Sequence, residues 1–319
     1  MAGRHLPHVQ GQKTSVRYVV LATDAAPTYA VWAPVAARLW ARHGYRSIFH
    51  LDSLGWESPF GRVILDELVT AEVAHFAYIP RTGELTVPNT MRCSRNVAAA
   101  AGFLEPDDFI LTADVDMMPL RGAFFDKLPP FVVLRAMFAT WLGSQVVPPV
   151  VDVSHIWAGN FRFPMCYAGA TTTIWREMFP GIIPGDTAAS LAAVLIGRSD
   201  AVDLDETLLS YAFLSSPRAA GPAVLESPAG VWRKGELVMI DPMEERLLSE
   251  YFNMPRAMLR YDDLWHPGRG TPPPPDAIDF IPNRFLGGRP WCCFDVVSAY
   301  FPDMTDWLAN YRRRLETVL

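Results

Sequence analysis

The 319-residue chain has only four cysteines, Cys93, Cys166 and the adjacent Cys292 and Cys293. Four are too few for a disulfide scaffold and none has paired zinc-site spacing, so a reducing compartment is expected. Excess positive charge is also lacking. Lys and Arg total 28 against 34 Asp and Glu, a net charge of -6, which excludes a general nucleic-acid binder. The one dense basic run, Arg312-Arg313-Arg314, falls near the end of an expected helix, where it complements the helix dipole. No segment approaches the ~18 uninterrupted apolar residues of a membrane span, and Met1 to Ser15 has no apolar signal core. The expectation is a soluble cytoplasmic protein with a loose leader over residues 1–15. Hydrophobic residues make up 50% of the chain, ample for one large core over residues 16–319.

The first half alternates strand and helix. Val16 to Ala22 predicts a strand that stops at Thr23-Asp24. Trp32, Val35, Ala36, Leu39 and Trp40 then fall at helical spacing from Thr28, and Gly44 closes the helix. Tyr45 to Asp52 predicts a second strand, Phe60 to Thr70 a helix and Ala74 to Ile79 a third strand. A further helix from Asn89 to Gly102 leads into an apolar strand that begins near Asp107. This alternation predicts a mostly parallel α/β sheet with right-handed crossovers and flanking helices. Beyond Leu120 the pattern loosens, and the reading is of loops and short strands over a site. Tyr167 to Trp175 reads as a glycine turn followed by a strand, Asp203 to Tyr211 opens a helix, and Thr271 to Pro275 is a linker. A short strand at Ile278 to Ile281 follows, and an amphipathic helix over Met304 to Thr317 packs back on the body.

The chemistry concentrates at Asp114-Val115-Asp116, where the apolar run ends. On a strand, Asp114 and Asp116 project to one side and Val115 to the other. Two carboxylates in one small volume resist joint ionisation unless a cation lies between them, and hard oxygen ligands suit Mg²⁺ or Mn²⁺. Open α/β sheets place ligands at this carboxyl edge. An Asp-x-Asp that merely closes a strand and caps a turn is the alternative.

The order of motifs resembles GT-A-fold glycosyltransferases, in particular the glycogenin-like family of retaining enzymes. Thr23-Asp24, with Tyr29 behind it, is similar to the family's uridine-contacting turn. Ser94-Arg95 resembles its Ser/Thr-Lys pair near the donor, and Asp114-Val115-Asp116 its Asp-x-Asp, which holds a divalent ion and the nucleotide sugar. Tyr167-Ala168-Gly169 stands where the family has Asn-Ala-Gly, and Asp205-Glu206 where it has Asp-Gln. Phe285-Leu286-Gly287-Gly288-Arg289-Pro290-Trp291 is similar to the loop that closes over the diphosphate, with Arg289 in place of Lys. Arg284 occupies the place of the family's metal-binding His, which leaves His266 as an alternative ligand.

The resemblance implies a UDP-sugar donor, a carbohydrate hydroxyl acceptor and Mn²⁺ or Mg²⁺. It makes residues 16–120 the nucleotide-sugar half and 121–319 the acceptor half. Asp114 and Asp116 would hold the ion, Arg289 and Arg95 would clamp phosphate, and Gly287-Gly288 would let the backbone approach it. Asp205 would orient a hydroxyl or stabilise an oxocarbenium-like transition state, while Trp157, Phe161, Phe163 and Trp265 could stack on sugars. Each has a structural alternative: a surface Arg95, a helix-start Asp205, an Asp203/Glu206 capping pair and core aromatics. Two other functions stay open. One is a phosphatase of the haloacid dehalogenase type, whose acidic site normally follows the first strand; the other is a nucleotide-sugar-binding protein that has lost catalysis.

Overall fold

The computed structural model describes residues 15–81, 85–116, 118–119, 125, 128–135, 168–198, 204–215, 223–226, 232–233, 236–237, 239–240 and 291–319. Its first half follows the sequence closely. Strand β1 (Arg17–Thr23) is followed by helices α1 (Pro27–Ala30) and α2 (Ala33–Arg42), β2 (Arg46–Asp52), α3 (Pro59–Thr70), β3 (His75–Ile79), α4 (Val87–Ser94) and β4 (Phe109–Thr112). The single helix expected from Thr28 is two pieces. Pro34 has no N–H to donate, so it is tolerated in the first turn of a new helix but not inside a longer one. Gly44 closes α2 at φ 74°, where a glycine bears no strain. Ser58 caps α3 by accepting from Gly61 N at 3.0 Å.

β1 pairs in parallel with β2 on one side and β4 on the other, and β2 pairs in parallel with β3. Alternate side chains fill two core layers. Val19, Leu21, Phe49, Leu51 and Leu111 face one with α2, α3 and the C-terminal helices; Tyr18, Val20, Ile48 and Ile110 face the other.

The second half departs from expectation. β5 (Phe131–Arg135), β6 (Ala168–Thr171) and β7 (Ala223–Glu226) extend the same sheet, in the order β3-β2-β1-β4-β6-β5-β7. β6 runs antiparallel to both β4 and β5, and β5 pairs in parallel with β7. The sheet is thus mostly parallel with flanking helices, and it spans both of the expected halves. Gly169, expected in a turn, lies inside β6. A Cβ there would sit 2.5 Å from Phe109 Cζ and 3.1 Å from Val132 Cγ1, so glycine is required by close packing within the sheet. The strand expected after it is helix α5 (Thr172–Met178), capped by the Thr171 hydroxyl, which accepts from Ile174 N at 3.4 Å.

Helices α6 (Thr187–Leu195), capped by Asp186, and α8 (Trp291–Tyr300) were not expected; α7 (Leu204–Ser215) was. Trp291, read as the end of the closing loop, starts α8. The terminal helix α9 (Thr305–Glu316) docks as expected, with the Tyr311 hydroxyl donating to Val31 O at 2.9 Å. Its basic run does more than complement a dipole. Arg314 pairs with Asp66 and the buried Glu67, Arg312 pairs with Glu316, and Glu67 also accepts from Trp307 Nε1 at 2.7 Å. Among the described residues, no helix is long and apolar enough to cross a membrane.

Candidate functional site

The chain leaves β1 for β2 on one side and reaches β4 on the other, so the crossovers part at the carboxyl ends of β1 and β4. Open α/β sheets form their ligand crevice at such a switch point. Three acidic positions converge on that edge: Asp24 after β1, Asp52 at the end of β2, and Asp114 to Asp116 after β4.

The Thr23-Asp24 turn is tightly committed. The buried Thr23 hydroxyl donates to Asp24 O at 2.9 Å, and Asp24 Oδ1 accepts from Ala26 N at 3.0 Å just before α1. Tyr29 is half-buried against the core. Burial pushes the Asp52 carboxyl above its ordinary range, with Arg81 drawing it down and Asp24 pushing it up.

β4 is shorter than expected and ends at Thr112, whose hydroxyl bonds Ala168 N at 3.1 Å and Ala168 O at 3.2 Å and so ties β4 to β6. Asp114 and Asp116 therefore lie in the turn beyond the strand, and strand alternation does not set their directions. Val115 still enters the core, as expected. Asp116 is 7% exposed, while the Asp114 side chain is 38% exposed.

Arg95 joins this turn to the second half of the chain. α4 ends at Ser94 and tightens into a 3-10 turn over Arg95–Ala100, whose Val97 leaves helical geometry at φ -103° and ψ 28°. This replaces the unbroken helix expected to run on to Gly102. The Arg95 guanidinium, 4% exposed, pairs through Nη1 with Asp114 Oδ1 and through Nη2 with Asp205 Oδ2 at 3.2 Å. The fork expected to grip phosphate thus spans two carboxylates. Asp205, in the first turn of α7, is 5% exposed, and its backbone oxygen accepts from Asn96 Nδ2 at 3.2 Å. Burial pushes the Asp205 carboxyl up; Arg95 opposes that and Asp114 adds to it. Glu206 is half-buried beside it. Among the described residues, the buried Asn96 Oδ1 has no hydrogen-bond partner.

The structure therefore brings Arg95, Asp114 and Asp205 together and places Asp116 one residue beyond Val115. Gly169 is committed to sheet packing. Tyr167, Asp203, His266, Arg284, Gly287, Gly288, Arg289 and the aromatics Trp157, Phe161, Phe163 and Trp265 lie outside the described residues. Among the described residues, no group of three or more His, Cys, Asp or Glu side chains is arranged to hold a metal. Mg²⁺ is ordinarily held by one or two carboxylates together with substrate phosphates; Asp114 and Asp116 supply that donor chemistry, and Arg95 already pairs with Asp114 Oδ1.

Sequence reasoning missed Asn96 and His50. His50 shares a strand face with Asp52, two residues on, which is the signal that could have found it. Its Nδ1 lies 3.1 Å from Ser94 Oγ, and the ring is 1% exposed. Burial, reinforced by His75 and Arg95 and opposed by the Ser94 hydrogen bond, lowers its pKa to about 3. A folded-state value below the unfolded one means that acid protonates the unfolded chain first, so stability falls as pH drops below about 6.5. The expected loss from this residue between pH 8 and pH 5 is roughly 2 kcal/mol. Urea titrations of the wild type and His50→Asn at both pH values should show a flatter dependence in the variant.

No family model matches the chain, and no curated protein matches it. Among solved structures, the apo-form glycosyltransferase GlyE of Streptococcus pneumoniae TIGR4 is similar at 14% identity with a TM-score of 0.44. The match covers 93% of this chain and 64% of that one, a likeness too slight to define fold or function.

Proposed function

We propose that the chain is a glycosyltransferase that moves a sugar from a UDP-sugar to a hydroxyl acceptor, with retention of anomeric configuration. The observation that carries this reading is the Arg95 fork at the carboxyl edge of the sheet, which gathers Asp114 and Asp205 from separate elements beside Asp116. Asp114 and Asp116 would hold Mn²⁺ or Mg²⁺. That ion, when bound, supplies Lewis-acid stabilisation of the departing diphosphate. Arg95 compensates the Asp114 and Asp205 charges and fixes their separation. Asp205, buried beside the donor, orients the acceptor hydroxyl or stabilises positive charge developing on the sugar. In this reading Thr23, Asp24 and Tyr29 contact the nucleoside, while Arg284, Gly287, Gly288 and Arg289 wrap the diphosphate.

A thermal-unfolding screen of nucleoside diphosphates with and without Mn²⁺ tests it. UDP at ~100 times its dissociation constant should add about 2.7 kcal/mol of stability, more with Mn²⁺ than without. If no nucleotide shifts unfolding and the protein hydrolyses a generic phosphomonoester, the transferase reading fails and the phosphatase reading replaces it.

A further inference from the structure

We propose that His50 is a positioning residue for this site, holding the Arg95 guanidinium across Asp114 and Asp205 by way of Ser94. The Ser94 hydroxyl has one proton and gives it to Met91 O at 2.7 Å. At 3.1 Å the same oxygen therefore accepts from His50 Nδ1, which fixes the imidazole tautomer with the proton on Nδ1. Both side chains are fully enclosed, with Ser94 0% and His50 1% exposed. A serine bonded only to the carbonyl three residues back is free to choose another rotamer. With His50 in place it cannot. The anchor also falls where it matters mechanically, because Ser94 is the last residue of α4 and Arg95 the first of the 3-10 turn. It pins the point at which the helical winding changes, and the Arg95 side chain departs from the next residue. Arg95 Nε also donates to Arg92 O over a long 3.4 Å.

A His in the apolar layer beside Ile48 is an expensive way to fill space, since burying an imidazole costs free energy that a leucine would not. The charged and titratable groups that bear on it are His75 from β3 and Arg95 itself. The acidic turn after β4 is thus held from β2 through a continuous run of polar contacts: His50 to Ser94, the chain link to Arg95, and Arg95 to Asp114 and Asp205.

The transferase reading enters only through turnover, so two measurements are needed. The first is ¹⁵N NMR of the Arg95 guanidinium in the full-length protein. Wild type should show resolved, slowly exchanging Nη protons. His50→Leu and Ser94→Ala should collapse them, and His50→Asn, whose amide places a donor near the Nδ1 position, should restore them. The second is UDP-sugar hydrolysis with Mn²⁺. His50→Leu and Ser94→Ala should each lower kcat at least tenfold with little change in KM, and the double variant should be no worse than either single one. Resolved Arg95 resonances that persist in a folded His50→Leu overturn the proposal whatever the turnover. Independent, multiplicative losses in the double variant overturn it too. If wild type hydrolyses no nucleotide sugar, the transferase reading fails, and the NMR result still decides the role of His50.

Discussion

Replacing Arg95 with methionine should cost about 3–5 kcal/mol of stability, because it removes the guanidinium paired with the charged, enclosed Asp205. Asp205 is 5% exposed; of its other charged neighbours, Asp114 carries the same charge and Arg92 offsets it only in part. Methionine fills most of the volume of the arginine stem, so the loss reports charge rather than a cavity. Two controls separate these causes. Adding Asp205→Asn to Arg95→Met should recover most of the stability, since the uncompensated carboxylate is gone. Lowering the pH should do the same in the single variant. Burial already raises the Asp205 pKa, and removing Arg95 raises it further, so the deficit should be larger at pH 8 than at pH 4. Neither control should recover transfer, because Asp114 and Asp205 are no longer held in register. A deficit that is the same at both pH values and persists in the double variant would assign Arg95 a packing role.

The first four strands were legible because a buried parallel sheet leaves continuous apolar runs bounded by turn residues, as in Val16 to Ala22 and Tyr45 to Asp52. Their carboxyl ends therefore located the acidic edge correctly. The extent of β4 was not legible. The run from Asp107 reads as a strand that continues to Asp114-Val115-Asp116, yet the strand ends at Thr112, whose hydroxyl is bound to Ala168, 56 residues away. β6 was misread for a related reason. Gly169 signals a turn locally, and only the approach of Phe109 from another strand makes it a packing residue. The same holds at the site. Nothing in the neighbourhood of Arg95 says that its fork spans carboxylates 19 and 110 residues distant. Long-range pairing decided what Arg95, Asp205 and His50 do, whereas local pattern sufficed for the elements that carry them.

The largest effect on turnover is expected at the acidic turn. Asp114→Asn and Asp116→Asn should each reduce transfer at least 10³-fold, which corresponds to roughly 4 kcal/mol of transition-state stabilisation. Asparagine preserves the shape of each side chain and removes the charge that a divalent ion requires. The two variants should differ in their structural cost. Asp114 is 38% exposed and its pairing with Arg95 is screened by solvent, so Asp114→Asn should unfold within about 1 kcal/mol of wild type. Asp116 is 7% exposed, and its replacement should be felt more in the fold. Unfolding with UDP and Mn²⁺ provides the check that turnover alone cannot. In both variants the stabilisation by UDP alone should survive and the increment due to Mn²⁺ should vanish. Full activity in either variant removes that carboxylate from the site, and loss of the UDP effect together with the Mn²⁺ effect would mean that the turn holds the nucleotide directly.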